Sequence, residues 1–524
     1  MPIDGHRREW YNEGLQDPRS PGIWKEEFSL KLNPAGAAGA LLVSVLAVGT
    51  FAAGTHFGPA QAAGRNLYQP PPAPAPSSAV VLASATHSNT TSANQVAQDT
   101  GGPDGRGSRD SAGPDAPGPD FLSDTSPAAT FDDVYRLIER NFVDPLPTDT
   151  QMAHGAASAM LASLQDPDSR FIEAPEVSEL NAEAKGQYRG IGAALAVRRL
   201  PHAKVGDVPA YTEYRLVLVA PLPGSPAEKA GLQAGDTVAT INGQWIYNDS
   251  YVYAQTKALK AVQDDPVTFN KMLTALQKKI DASLSLSQAQ TKLDDPAAKT
   301  LALTVTRPGL PQPLAVSLDT SASTVVSPVT ARTLPGGIGY IKIAQFTPDA
   351  DKDFETALAS FGPAPKGLVL DLRNLPGGLL DVGAAIASKL SSAPALGYLE
   401  TKGKKVQPIA VSPSSAIICP IVVLVNGGTA NTAELLASTL QSRGAKLVGS
   451  TTFGDASDVK LITLRDGSGF TMTVGKLMTA AHTDFGGLGI KPDVVLPSTS
   501  GDTPLDRAVG VLSGRVARVP ANPV

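Results

Sequence analysis

At 524 residues the chain exceeds the size of one ordinary domain and has room for several units with substantial cores. Its formal net charge is only -5, and the 44 basic residues are scattered rather than massed, which removes the electrostatic footprint of a nucleic-acid binder. The single cysteine, Cys419, excludes an intramolecular disulfide and any cysteine-based metal site.

No Asp, Glu, Lys or Arg occurs between Lys31 and Arg65, and residues 35–53 are almost wholly apolar, a run of 19 that is long enough to span a bilayer. Arg7, Arg8, Arg19, Lys25 and Lys31 precede the run, whereas after Arg65 the next basic residue is Arg106. That bias predicts a cytoplasmic segment at 1–34, a transmembrane anchor or signal at 35–57, and export of everything beyond. Ala60-Gln61-Ala62 suits a signal peptidase, but more than thirty residues before the apolar run fit an uncleaved anchor better. Residues 58–127 are rich in Pro, Ala, Ser, Thr, Asn and Gly and read as a disordered linker, with too little apolar surface to offset ordering entropy.

Order is expected from Thr130, where Thr-Phe-Asp-Asp offers an N-cap and Phe131, Val134, Tyr135, Ile138 and Phe142 follow at helical spacing. A second helix is expected from about Gln151 to Leu164, ending before Asp166-Pro167, so that 128–185 forms a helical segment. Residues 186–318 then show short alternating strands with turn clusters. Gly224-Ser225-Pro226 turns the chain, Ala227–Ala230 makes a short helix closed by Gly231, and Asn242-Gly243 is a hairpin turn. This string, SPAEKAGLQAGDTVATING, resembles a PDZ domain. The upstream loop Gly190-Ile191-Gly192-Ala193 is similar to the PDZ loop whose backbone N–H groups grip a terminal carboxylate, beside a strand edge that accepts an extended peptide. A plain glycine turn is the competing reading of that loop. A helical stretch over 251–293 interrupts the pattern and reads as an insertion.

From Gly337 onward, apolar strands alternate with helices, one of them starting at Thr429, which predicts an α/β unit over 319–500 whose sheet is covered on both faces, followed by a tail at 501–524. Four strings then occur in order: MLASLQDPDSRF at 160–171, the PDZ-like string, LVLDLRNLPGGLL at 368–380, and VVLVNGGTANTAELLAS at 422–438, with TTFGDAS at 451–457 and GLGIKPDVVLP at 487–497. Together they resemble the C-terminal processing, or tail-specific, serine protease family. The resemblance implies an α/β protease core of crotonase-like layered β/α form, with an inserted, mainly-β PDZ domain.

The resemblance also implies a serine nucleophile and a lysine base. The nucleophile run of the family corresponds here to Thr429-Ala430-Asn431-Thr432-Ala433-Glu434, so Asn431 stands where the serine is expected. A carboxamide cannot perform that attack. The string that carries the lysine corresponds to Thr452-Phe453-Gly454-Asp455-Ala456, which puts Asp455 on the base, 24 residues later, one fewer than the family spacing. Gly377, Gly378 and Thr432 correspond to the oxyanion donors, although the two glycines equally suit a tight turn. Leu375 stands where the family shows a second Asn, and Val459 where it shows a Gln.

These residues support three readings. The first is an exported pseudoprotease that binds peptide C-termini or a partner protein through its PDZ domain. The second is an active endopeptidase with a displaced pair drawn from Thr429 or Thr432 and Lys446, Lys460 or Lys476. The third is a structural subunit of a protease complex, oligomerising through the helices at 130–164 and the insertion at 251–293. The histidines His6, His56, His87, His154, His202 and His482 have no metal spacing, so no metal or cofactor is expected. Cys419 is expected on a buried strand as an inert side chain.

Overall fold

A computed structural model describes residues 126–203, 210–295, 298–321, 324–362, 365–412, 417, 419–496 and 503–514, all within one compact unit. The expected cytoplasmic segment, anchor and nearly all of the linker lie outside the described residues. Among the described residues no helix is long and apolar enough to cross a membrane.

Two helices come first, α1 (Pro127–Asn141) and α2 (Asp149–Ala162), followed by β1 (Arg170–Ile172) and α3 (Ala174–Glu183). The first helix starts earlier than Thr130 because Ser126 takes the N-cap, its hydroxyl accepting from Ala129 N at 3.2 Å, with Pro127 supplying the preset first-turn φ. Thr148 and Gln151 form a reciprocal capping box on α2.

The next strands are β2 (Gln187–Tyr188), β3 (Ala193–His202) and β4 (Tyr211–Pro221), then α4 (Pro226–Lys229), β5 (Thr237–Ile241) and β6 (Gln244–Trp245). The helical insertion expected over 251–293 consists of three helices, α5 (Asp249–Ala261), α6 (Pro266–Asp281) and α7 (Leu286–Asp294). Asp265-Pro266 and Ser285 start new helices by capping, which a single run cannot accommodate. After them come β7 (Thr300–Thr306), β8 (Leu314–Asp319) and β9 (Thr324–Val325). The strand order β3-β4-β5-β7-β8 leaves β3 at the edge of an antiparallel sheet, closed over Leu216, Leu218, Ile241, Leu293 and Val305.

The remainder builds the larger layer: β10 (Val329–Leu334), β11 (Ile338–Ile343), α8 (Ala350–Ala359), β12 (Gly367–Asp371), α9 (Leu380–Leu390), β13 (Ala395–Thr401), β14 (Gln407–Ala410), β15 (Ile421–Val425), α10 (Thr432–Ser442), β16 (Lys446–Gly449), β17 (Ser457–Thr463), β18 (Gly469–Met478), β19 (Val494–Val495) and α11 (Thr503–Leu512). The sheet order is β10-β11-β12-β15-β16-β19, antiparallel at β10 and parallel from β11 onward. Its central strands β12 and β15 are apolar on both faces, as expected. Leu368, Leu370, Val423 and Val425 point into a core shared with α8, α9 and α10, while Val369, Val422 and Leu424 pack against Leu505 and Ala508 of α11. A second, antiparallel sheet centres on β18, which pairs β17, β13 and β1, so Arg170 of the N-terminal segment lies opposite Thr471. Cys419 is half-buried ahead of β15 rather than within a buried strand, and burial pushes its thiol upward.

Candidate functional site

The parallel strands β12 and β15 deliver two loops to the same place. The Asn374 amide N–H donates to Asn426 Oδ1 at 3.0 Å and Asn426 Nδ2 donates to Asn374 Oδ1 at 2.8 Å, which locks the loops together. Gly428 must lack a side chain here, since a Cβ would lie 2.7 Å from Asn374 Oδ1 and 2.8 Å from the Val219 carbonyl. Thr429 is fully buried, its hydroxyl donating to Leu372 O at 2.8 Å.

Asn431 follows as the N-cap of α10, with φ 52° and ψ −119°, a conformation that a residue with a Cβ adopts only under strain. The helix therefore begins at Thr432, three residues later than the Thr429 start that the sequence suggests, because the strained cap interrupts the backbone first. Three bonds fix the carboxamide. Its Nδ2 donates to Ser457 O at 2.7 Å and to Asp455 Oδ2 at 3.2 Å, and its Oδ1 accepts from Thr432 N at 2.9 Å. The structure thus brings Asn431 and Asp455 together, side chain to side chain, and the oxyanion-like Thr432 amide is occupied by Asn431 itself.

Asp455 is held from below. The Ser457 amide donates to its Oδ1 at 3.0 Å, while burial pushes its carboxyl above the usual carboxylate range. Under both residues lies Glu434, fully buried at the third position of α10. It accepts from Asn431 N at 2.9 Å, Gly454 N at 2.7 Å and Asp455 N at 2.8 Å, and from the Thr452 hydroxyl. Burial raises its carboxyl to about 8 against the pull of those donors. Gly377 and Gly378 have φ values of 110° and 131°, and a Cβ at Gly378 would sit 2.7 Å from Phe346 Cβ, so this turn requires glycine for its backbone alone. The Gly378 carbonyl accepts from Thr432 Oγ1 at 2.8 Å.

A cleft opens over Asp455 and Ser457. One wall is Asp168 and Arg170 from the N-terminal segment, another is Leu195 to Val197 of β3, and Gln290 of α7 closes the rim. Asp168 is the participant that sequence reasoning missed. Burial, with the charges of Asp455 and Asp166, pushes its carboxyl up to about 7. Its only signal was its place in the quoted string at 160–171, on a loop far from Asp455 in sequence. Arg198 of β3 spans the boundary, donating to Phe453 O at 3.2 Å with its guanidinium 4.4 Å above the Phe453 ring. Ala194, Val219 and Ala220 pack on Ala430 beside the strained cap.

The loop Gly190–Ala193 enters β3 with φ 65° at Gly190 and 64° at Gly192. The Ile191 amide already donates to Leu293 O at 3.1 Å, and a Cβ on Gly190 would lie 2.4 Å from that same carbonyl. Helix α7 therefore ends directly on the loop. Of the lysines of the displaced-pair reading, Lys446 Nζ pairs with Asp493 Oδ1 at 3.0 Å, Lys460 lies on β17, and Lys476 on β18 stands opposite Ser457. Among the described residues no cluster of His, Cys, Asp or Glu has the arrangement to hold a metal ion.

Residues 337–496 match Peptidase family S41, and residues 217–255 match the PDZ domain family. A carboxyl-terminal-processing protease of Synechocystis is 30% identical over 396 residues, covering 73% of this chain and 82% of that protein. The chain belongs to the carboxyl-terminal-processing protease family. A chloroplastic C-terminal processing peptidase of Tetradesmus obliquus is also 30% identical, over 75% of this chain and 82% of its own length. Among solved structures, a photosystem II D1 C-terminal processing protease is 26% identical with a TM-score of 0.49, covering 70% of this chain and 92% of the other. The S41 match encloses Asn431, Asp455 and Glu434, and the PDZ match begins on β4 and ends within α5.

Proposed function

We propose that this member of the family binds polypeptide without cleaving it, acting as a pseudoprotease whose PDZ domain takes peptide C-termini or a partner protein. The observation that carries this reading is the bond from Asn431 Nδ2 to Asp455 Oδ2 at 3.2 Å, which puts a carboxamide and a carboxylate where a nucleophile and its base would have to meet. Neither group supplies an attacking oxygen activated by a neutral amine. Asn431 also fills the Thr432 amide that would stabilise an oxyanion. The displaced-pair reading lacks support from geometry, because Thr429 and Thr432 both donate to backbone carbonyls and Lys446 is paired on the surface. The structural-subunit reading draws on α1, a helix with no buried residue that leaves Phe131, Val134, Ile138 and Phe142 exposed.

Peptide recognition would use the edge of β3 and the Gly192 and Ala193 amides, since the Ile191 amide is engaged by Leu293. Calorimetry with matched peptides bearing a free or an amidated C-terminus tests this. A charge-assisted hydrogen bond contributes roughly 1.5 to 3 kcal/mol, so the amide is expected to bind about tenfold more weakly or worse. Equal affinities would reduce the loop to a turn.

The same proposal places the folded part outside the cytoplasm, in a periplasm, on a single-pass anchor at 35–57 with residues 1–34 inside. Reporter fusions at Arg106 are expected to be active only in the exported compartment. Cytoplasmic activity alone would overturn this topology.

A further inference from the structure

Helices α1 and α2 form an arm that buries none of its residues fully, so its attachment to the body depends on few contacts. His154, on α2, makes a polar contact to two separate elements of that body. Its Nδ1 lies 3.0 Å from Glu173 Oε2 at the start of α3, and its Nε2 lies 2.9 Å from Asp466 Oδ2 in the turn between β17 and β18. The ring also rests on Phe171 of β1, with centroids 4.7 Å apart. The acid of α2, Asp149, is turned instead to Tyr135 of α1.

We propose that His154 is a pH-sensitive latch, holding the α1–α2 arm against the body when its ring is protonated and loosening it when the ring is neutral.

The chemistry is one of donors. A protonated imidazole has two N–H groups and satisfies both carboxylates, whereas a neutral ring has one N–H and turns a lone pair toward the other carboxylate. The charged groups facing the ring are Glu173 and Asp466, and both favour the protonated form. Ser468 bonds, with a further contribution from His154, hold Asp466 down to about 2, so it stays ionised throughout and the histidine is the group that titrates. Burial opposes protonation of His154, but the bonds and charges of Asp466 and Glu173 outweigh it and leave the ring above its ordinary 6.5. A raised folded-state value means that the stabilisation is fully present below 6.5 and is lost as pH rises through the higher, folded value. Loosening the arm would change how the exposed Phe131, Val134, Ile138 and Phe142 are presented.

Backbone hydrogen exchange of residues 127–162 in the full chain, corrected for the intrinsic pH dependence of exchange, tests the latch. Protection of α2 is expected to fall about tenfold between pH 5.5 and pH 8.5, the effect of losing one charge-assisted hydrogen bond. His154→Gln is expected to show the weakly protected arm at both pH values, with β12 and β15 unchanged. Asp466→Asn, which keeps the fold of the turn but removes its charge, should move the transition to lower pH. Because α2 carries the only histidine of the arm, the titration is also readable directly from the His154 ring by NMR. Protection independent of pH in the wild type, or a ring that titrates at or below 6.5, would overturn the proposal.

Discussion

Asn431→Ser alone is expected to leave peptide cleavage at the wild-type background, whereas Asn431→Ser combined with Asp455→Lys is expected to raise it by two or more orders of magnitude. The serine would inherit the strained cap at the head of α10, where φ is 52°, and the Thr432 amide would be released from the Asn431 carboxamide to face an oxyanion. The single variant still has Asp455 beside it, and a carboxylate is a far weaker base toward a hydroxyl than a neutral amine. A lysine at 455 would occupy the same buried position, where desolvation disfavours its charge and leaves a neutral amine. Members of a catalytic pair act as a unit, so restoring one is expected to gain nothing and restoring both to gain roughly a hundredfold or more. The measurement is turnover of a fluorogenic peptide by residues 128–524. Turnover in the single variant would refute the dyad argument, and a double variant at background would mean that the cleft has lost more than its two reacting groups.

Glu434→Ala is expected to destabilise the folded unit by about 3 to 5 kcal/mol, because it strips the acceptor from several buried donors at once. Those donors are the amides of Asn431, Gly454 and Asp455 and the Thr452 hydroxyl, which itself accepts from Ile490 N at 2.6 Å. One carboxyl thereby joins the cap of α10, the loop carrying Asp455 and the segment leading to β19. Urea unfolding reads the loss directly, and a change under about 1 kcal/mol would show that the site is held by its neighbours instead. The carboxyl also titrates between its unfolded value near 4.5 and its folded value of about 8. Since folding raises it, its contribution is full below 4.5 and is lost as pH rises through about 8, so the deficit of Glu434→Ala should shrink toward alkaline pH.

Much of this was legible in the amino-acid order because it rests on local rules. Continuous apolar strands such as Leu368–Leu370 and Val422–Val425 require a sheet buried on both faces, and the structure covers one face with α8 to α10 and the other with α11. The PDZ turns at Gly231 and Asn242-Gly243 are set by residues that accept positive φ, and both have it. Asn431 and Asp455 were singled out from the order of the family's motifs, and the structure sets their side chains 3.2 Å apart.

Other features needed the tertiary structure. The helix starts moved, from Thr130 to Pro127 and from Thr429 to Thr432, because cap geometry outranks hydrophobic spacing at an end. The meeting of Asp168 with Asp455 depends on β1 pairing with β18, a register between segments some three hundred residues apart that no local pattern encodes. The closure of Gly190 by Leu293 and the bridge of His154 to Glu173 and Asp466 likewise join distant elements. What the sequence by itself determined was therefore the family and the layers, both written in short-range periodicity and motif order. What only the tertiary structure decided was which buried charges face one another, because burial and proximity in space, rather than spacing along the chain, set their protonation and their partners.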